Sequence, residues 1–250
     1  MTEIQRDAIP NPAEGLLVYN TDEKCVNFYN GTDWKSFCGD STNPGGDFQC
    51  GTFMANGEWK EWMCHNLGAD MSLDPFELSK GIHGDYYMWG KSEPLATVDT
   101  DPGTIPGFYD IPVAEGDAWL NDQKTENDPC PNGFRVPTRA QWDEVIANND
   151  LTLIGPWDEE GVTNWDSGVK FGDDFLLPAA GVRASGLSGL LIGRGTSAYY
   201  WSSTNAVPPP YGPGGDGLSG YMNVATTFGW DPMTNNSSLR NGYSVRCISE

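Results

Sequence analysis

The stretch CPNGFRVPTRAQW, residues 130–142, decides how this chain is read. Cys130 sits in a Pro–Gly turn, an apolar segment follows, and Thr138 then stands three residues before Gln141. That spacing is a capping box, in which the Thr hydroxyl and the Gln side chain satisfy the free N–H groups of a helix start. Trp142, Val145 and Ile146 follow at i, i+3 and i+4, so the spacing predicts a helix with one apolar face. The cysteine in the turn that opens this helix raises the question of its partner.

The chain has six cysteines: Cys25, Cys38, Cys50, Cys64, Cys130 and Cys247. Six allow about 15 connectivities, so spacing alone does not choose. CVNFYNGTDWKSFC, residues 25–38, reads as a β-hairpin. With the turn centred between Gly31 and Thr32, Tyr29 faces Trp34 and Cys25 falls opposite Cys38, within disulfide reach. Cys50 and Cys64 flank a similar unit with Asn56-Gly57 at its turn, which leaves Cys130 for Cys247. The rival reading, zinc, lacks any C-x-x-C pair, and adjacent Cys64 and His65 are too crowded to serve as a ligand pair. Paired cysteines point to an oxidising compartment, hence an extracellular or cell-surface location.

Composition narrows the partners. Net charge is −21, from 35 acidic and 14 basic residues. Such a chain repels a phosphate backbone and an anionic bilayer, so neither nucleic acid nor membrane insertion is expected. The 31 glycines and 18 prolines suit a loop-rich α+β domain of short antiparallel strands with one or two helices. No apolar run approaches the roughly 20 residues of a membrane span. The stretch MTEIQRDAIPNP carries no signal core, so the chain is expected to be a fragment or to have lost its signal.

Along the chain, residues 1–15 read as an irregular lead-in, 15–22 as a strand, and 39–47 as a linker. This gives a small disulfide hairpin unit over 1–47 and a larger domain over 48–250. Within the latter, 74–82 reads as a short helix. Strands are expected at 199–204, 220–228 and 242–249, with 207–217 an exposed loop. In the last strand Tyr243, Val245 and Cys247 alternate with polar residues.

The order WMCHNLGAD (62–70), DYYMWGK (85–91), CPNGFRVPTRAQW (130–142), LPAAGVR (177–183), YYWSST (199–204) and GYSVRC (242–247) resembles the Fibrobacter succinogenes major paralogous domain of secreted proteins in Bacteroidetes-type bacteria. The resemblance spans about 48–250 and implies a C-type-lectin-like fold, akin to formylglycine-generating enzymes. In that fold the terminal strands pair, and a disulfide ties the helix region to the last strand. IPNPAEGLLVYNTDEKCVNFYNGTDW is similar to tail-fibre-like segments, and fibre ends are often homotrimers.

Chemistry is mostly excluded. The late reactive cysteine pair of formylglycine-generating enzymes has no counterpart, since Cys247 is the only late cysteine. Ser92-Glu93-Pro94-Leu95 and Trp119-Leu120-Asn121-Asp122 both depart from the lectin calcium–sugar tripeptides, although structural calcium on Asp70 and Asp74, or on Asp173 and Asp174, stays open. His65 and His83 are the only histidines and no G-x-S-x-G occurs, so a Ser–His–Asp hydrolase is not expected. His65 reads as a core residue and His83, between glycines, as exposed. Paired carboxylates of a carbohydrate-active enzyme are compatible with so acidic a chain. The preferred reading is a non-catalytic recognition or adhesion module for a glycan or cell-surface protein, with a purely structural fibre component as a third reading. The expected ligand residues are Tyr211, Tyr221, Asn223, Trp230, Asn235, Asn236 and Arg240, a late Tyr/Trp/Asn set of the kind adaptable binding surfaces use. For Trp201, Tyr221 and Phe228 the competing reading is core.

Overall fold

The computed structural model describes residues 1–22, 25–36, 48–157, 161–207, 218–225 and 232–250. The chain divides into two compact units, Met1–Gln49 and Cys50–Glu250.

The first unit begins with a helix where an irregular lead-in was expected. It is α1 (Glu3–Asp7), opened by a capping box between Thr2 and Gln5. At five residues it has no room for an apolar period, so only the cap could have signalled it. Strands β1 (Leu17–Asn20), β2 (Cys25–Tyr29) and β3 (Trp34–Ser36) form an antiparallel sheet in that order. Tyr29 pairs with Trp34, as the centred turn required. The Asn30 side-chain oxygen accepts from the backbone N–H of Thr32 (2.9 Å) and Asp33 (2.7 Å), and Gly31 takes φ +96°. That left-handed position favours the residue without a Cβ. Cys25 is disulfide-bonded. Its expected partner Cys38 lies outside the described residues.

The second unit opens with the hairpin β4 (Gly51–Phe53) and β5 (Trp59–Glu61), turned through Ala55–Gly57. A disulfide joins Cys50 to Cys64 beside it. Residues 74–82 do not form the expected α-helix; only a single 3-10 turn, Lys80–Ile82, is present. Gly81 cuts an already short run, and so few residues do not nucleate a helix without packing along one face. The next regular strand is β6 (Phe134–Arg135), after a long irregular stretch that is buried mainly at 62–66 and 86–90.

Helix α2 (Arg139–Asn148) follows, with the Thr138–Gln141 capping box formed in both directions (3.1 and 2.9 Å). Trp142 and Val145 are fully buried and Ile146 packs against the same cluster. Beyond it come the antiparallel meander β7 (Leu151–Ile154), β8 (Gly168–Phe171) and β9 (Leu176–Pro178), and the hairpin β10 (Val182–Ala184) and β11 (Leu190–Ile192). The largest sheet is β12 (Ser197–Val207), β13 (Leu218–Ala225) and β14 (Met233–Ser238), antiparallel in that order. Finally β15 (Ile248–Ser249) pairs with β6, and Ile248 also bridges to Trp62, which brings the two ends of the unit together.

The architecture is therefore α+β, loop-rich, with small antiparallel sheets and few helices. Two features explain how so much irregular chain can be buried. The first is indole donors. Trp89 donates its indole N–H to the Ser202 carbonyl, Trp142 to Trp201, Trp201 to Tyr87 and Trp119 to Asn127, at 2.7 to 3.1 Å. Each fills core volume and spends its polar N–H on a main-chain carbonyl, two of them in β12 (Trp201 and Ser202) and two in irregular chain (Tyr87 and Asn127). The second is the Cys130–Cys247 disulfide, which closes a 117-residue separation inside the cluster that holds Trp89, Trp119, Trp201 and Tyr243. Its turn is pinned by Lys124, whose ammonium donates to Asp128 Oδ1 and to the carbonyls of Cys130 and Phe134. The Asp128 carboxylate in turn accepts from the N–H of Cys130 and of Val136, both 2.9 Å.

The segment 242–249 departs from the expected strand. Only its last two residues form one; before them the chain is held by isolated bridges from Arg183 to Gly242, Tyr87 to Tyr243 and Tyr200 to Ser244. Both sides are buried, since Ser244 and Arg246 are as inaccessible as Tyr243 and Val245. The apparent alternation of polar and apolar residues therefore does not mark a solvent face. Arg246 is accommodated by Asn66 Oδ1 (3.0 Å) and the carbonyls of Met63 and Leu176, and burial lowers its pKa to about 10.

Candidate functional site: a polar depression at the start of α2

The first residue of α2 is Arg139, a cation at the end of a helix where the macrodipole disfavours one. Its tertiary contacts account for it. Nε donates to Thr234 Oγ1 (3.0 Å), Nη1 to Asn236 Oδ1 (3.0 Å) and Nη2 to the Thr234 carbonyl (3.3 Å). Thr234 Oγ1 in turn donates a hydrogen bond to Asp143 Oδ1 at 2.6 Å. One guanidinium and one carboxylate, a turn apart on α2, thus clamp the outer strand β14.

On the other side of the helix start, the Arg139 N–H donates to Thr204 Oγ1 (3.0 Å), and Thr204 donates to Asn121 Oδ1 (2.8 Å). Ser203 Oγ also donates to Asn121 Oδ1 (2.9 Å). These groups bound an open depression of about 420 Å3 lined by Asn121, Thr138, Arg139, Ala140, Asp143 and Thr204. Asn121 and Asp143 are exposed, as are Asn235 and Asn236 on the neighbouring strand. Its chemistry is planar amide, hydroxyl, carboxylate and guanidinium, held in place by mutual hydrogen bonds. Such a set reads hydroxyl-rich or amide-rich ligands by paired donors and acceptors.

The residues expected to bind ligand are distributed unevenly. Asn235 and Asn236 are exposed, but they belong to strand β14, not to a loop. MTNNSS has weak strand propensity, and its ladder to β13, from Met233 opposite Asn223 to Ser238 opposite Leu218, supplies what local sequence does not. Tyr221 and Asn223 are corrections: both are buried in β13. Tyr221 packs against Tyr199 and Tyr243 with ring centroids 5.8 and 5.0 Å apart, and burial pushes its hydroxyl up to about 12. Asn223 is fully inaccessible opposite Tyr199. Arg240 is half-buried and donates to the Ile111 carbonyl (2.7 Å), with its guanidinium 6.0 Å from the Tyr109 ring. Ile111 borders a second depression, of about 400 Å3, which Lys91 and Glu93 also line. Tyr211, Trp230 and Phe228 lie outside the described residues. Trp201 is core.

The two stretches that depart from the lectin calcium–sugar pattern line different depressions: Glu93 the second, Asn121 the first. Of the acids considered for calcium, Asp70 Oδ1 accepts from the Ser72 hydroxyl (2.6 Å) and N–H (3.0 Å), which hold its pKa below the usual range. Asp74 Oδ1 accepts from the Phe76 N–H (2.8 Å), and Asp173 faces Lys170 at 3.8 Å. Among the described residues no group of three or more His, Cys, Asp or Glu side chains is placed to hold a metal ion. His83, expected to be exposed, is buried: Nε2 meets the Trp165 carbonyl at 3.1 Å and the imidazole stands edge-on to the Trp165 ring. Burial, with a smaller contribution from the Arg194 charge, lowers its pKa to about 4. His65 is buried in an irregular segment, with Nε2 3.0 Å from the Leu73 carbonyl.

Together these features define a disulfide-bonded, loop-rich unit with a preformed polar depression, joined to a small N-terminal sheet unit. Residues 1–48 match the family described as a phage tail-like trimerisation region. No curated protein and no solved structure matches the chain. Among the described residues no helix is long and apolar enough to cross a membrane.

Proposed function

We propose that this chain is a non-catalytic, extracellular recognition module of tail-fibre-like type. Its N-terminal unit assembles the protein, and its larger unit, C-type-lectin-like in architecture, binds a glycan at the depression opened by α2. The observation that carries the reading is the Arg139–Thr234–Asp143 clamp beside Asn121, an exposed and rigid array of amide, carboxylate and guanidinium groups. A rigid polar array binds without the cost of ordering its own side chains. The pairing of the unit's ends and the disulfide from the helix turn to Cys247 are features a C-type-lectin-like fold calls for. The trimerisation match supports display at the end of a fibre, where several weak sites act together. The disulfides favour an oxidising exterior.

The test is a glycan array probed with the whole protein, then with Asp143→Ala and Asn236→Ala. Both side chains are exposed, and each variant leaves the Arg139–Thr234 contacts and the β13–β14 ladder in place, so the fold should survive. The reading expects a defined set of glycans whose signal falls at least tenfold in both variants. Binding that both variants retain in full would refute it, and glycan cleavage lost on removing one acid would favour a hydrolase instead.

A further inference from the structure

The sheet of the first unit turns three apolar side chains to water and two amides inward. An antiparallel sheet with one covered face normally turns apolar residues inward and polar ones to water. Here Leu17 and Tyr19 on β1 and Val26 on β2 are 57%, 54% and 37% exposed. The register places them on one face, since Tyr19 opposes Val26 and Leu17 opposes Phe28. The opposite face carries Val18, Asn20, Cys25 and Asn27, all buried, and there the Arg6 guanidinium of α1 donates to Asn27 Oδ1 at 2.9 Å. Two buried amides and a buried guanidinium therefore share the covered side with Val18 and Cys25, while Leu17, Tyr19 and Val26 face outward, where the register adds Lys35 of β3 opposite Phe28.

Contiguous apolar area of that kind marks an association surface. The occupant follows from where the face lies: the strands that carry it fall within the stretch that matches a trimerisation region. We infer that the Leu17–Tyr19–Val26 face is the surface through which three copies of this chain pack about a three-fold axis, each copy covering the same face of its neighbours. A closed three-fold arrangement can bury such a patch on all subunits at once and leave none exposed. The charge of −21 per chain sets a requirement on this interface. Like-charged subunits repel, so the contact has to be apolar where it closes, and the charged side chain that the strand register places on this face, Lys35, is basic.

The test uses the full chain in two independent measurements. Light scattering on a sizing column should give three times 27.3 kDa for the wild type. Leu17→Lys/Tyr19→Lys should give the single-chain mass, while Trp59→Lys, an exposed residue of the second unit, should leave the trimer intact. Hydroxyl-radical footprinting of the unmodified protein guards against misfolding of the variant. Tyr19 should be labelled at least fivefold more slowly than Tyr109, which is 57% exposed in the second unit. A wild-type trimer in which Tyr19 reacts as fast as Tyr109, a trimer that survives the double lysine change, or a wild-type monomer with Tyr19 protected by its own chain would each overturn the inference.

Discussion

Replacing Cys130 and Cys247 together by Ala should cost more stability than any other pair of small substitutions in the chain. The bond spans 117 residues. In the chain-entropy view the closed loop is worth about 5 kcal/mol at 25 °C, against about 3 kcal/mol for the 14-residue separation of Cys50–Cys64. Both cysteines of the longer bridge are buried among Trp89, Trp119, Trp201 and Tyr243, so lost packing adds to the entropic term. A net stability of 5–15 kcal/mol is typical, so the loss is a large share of the whole. The assay is urea unfolding followed by tryptophan fluorescence, with each cysteine pair replaced separately so that no free thiol remains. With a slope of about 2.5 kcal/mol per M, the midpoint should drop by about 2 M for the Cys130/Cys247 pair and about 1 M for the Cys50/Cys64 pair. Equal drops, or the reverse order, would refute the view that closure of the long irregular segment is what the bond provides.

Two further outcomes follow from buried groups. His83 titrates near 4 when folded and near 6.5 when unfolded, so the unfolded chain binds the extra proton between those values and stability rises with pH across that window. Wild type should lose up to about 3 kcal/mol on going from pH 7 to pH 4 through this residue alone, and His83→Gln should show a flatter pH dependence of the urea midpoint. An unchanged slope would remove His83 as the source. Gly155→Ala should destabilise by at least about 2 kcal/mol, read as a lowered melting temperature, because φ there is +81° and a Cβ would fall 1.7 Å from the Asp166 carbonyl oxygen. A variant that melts with the wild type would contradict the tight approach of these two segments.

The parts of the fold visible in the sequence were those written in local chemistry. The Thr138–Gln141 box, the Asn56-Gly57 turn and the Tyr29–Trp34 register each depend on residues a few positions apart. What local chemistry did not carry is supplied by distant partners. Strand β14 is a run of Met, Thr, Asn and Ser that exists because β13 offers it a ladder and Arg139 clamps it from the far side. His83 is buried because Trp165, 82 residues away, covers it. Arg246 reads as the polar member of an alternating strand, yet lies in the core on three oxygens. In the candidate site, Asn235 and Asn236 were legible as exposed amides. Arg139 and Asp143 belong to no motif, and the one local sign of their role is a cation at the first position of a helix, an oddity that points to a tertiary contact. Strand β13 is buried on both faces and leaves no alternation to follow, so Asn223 gives no sign of its burial, while for Tyr221 the core reading holds over the ligand one.

The measurement that bears most directly on the account is hydrogen exchange of the whole protein with and without a saturating glycan hit. The account predicts slowed exchange in peptides covering 138–143 and 233–238, the two sides of the clamp, with the Cys130–Cys247 core unchanged. Protection confined to other segments, with those two peptides exchanging as in the free protein, would contradict it.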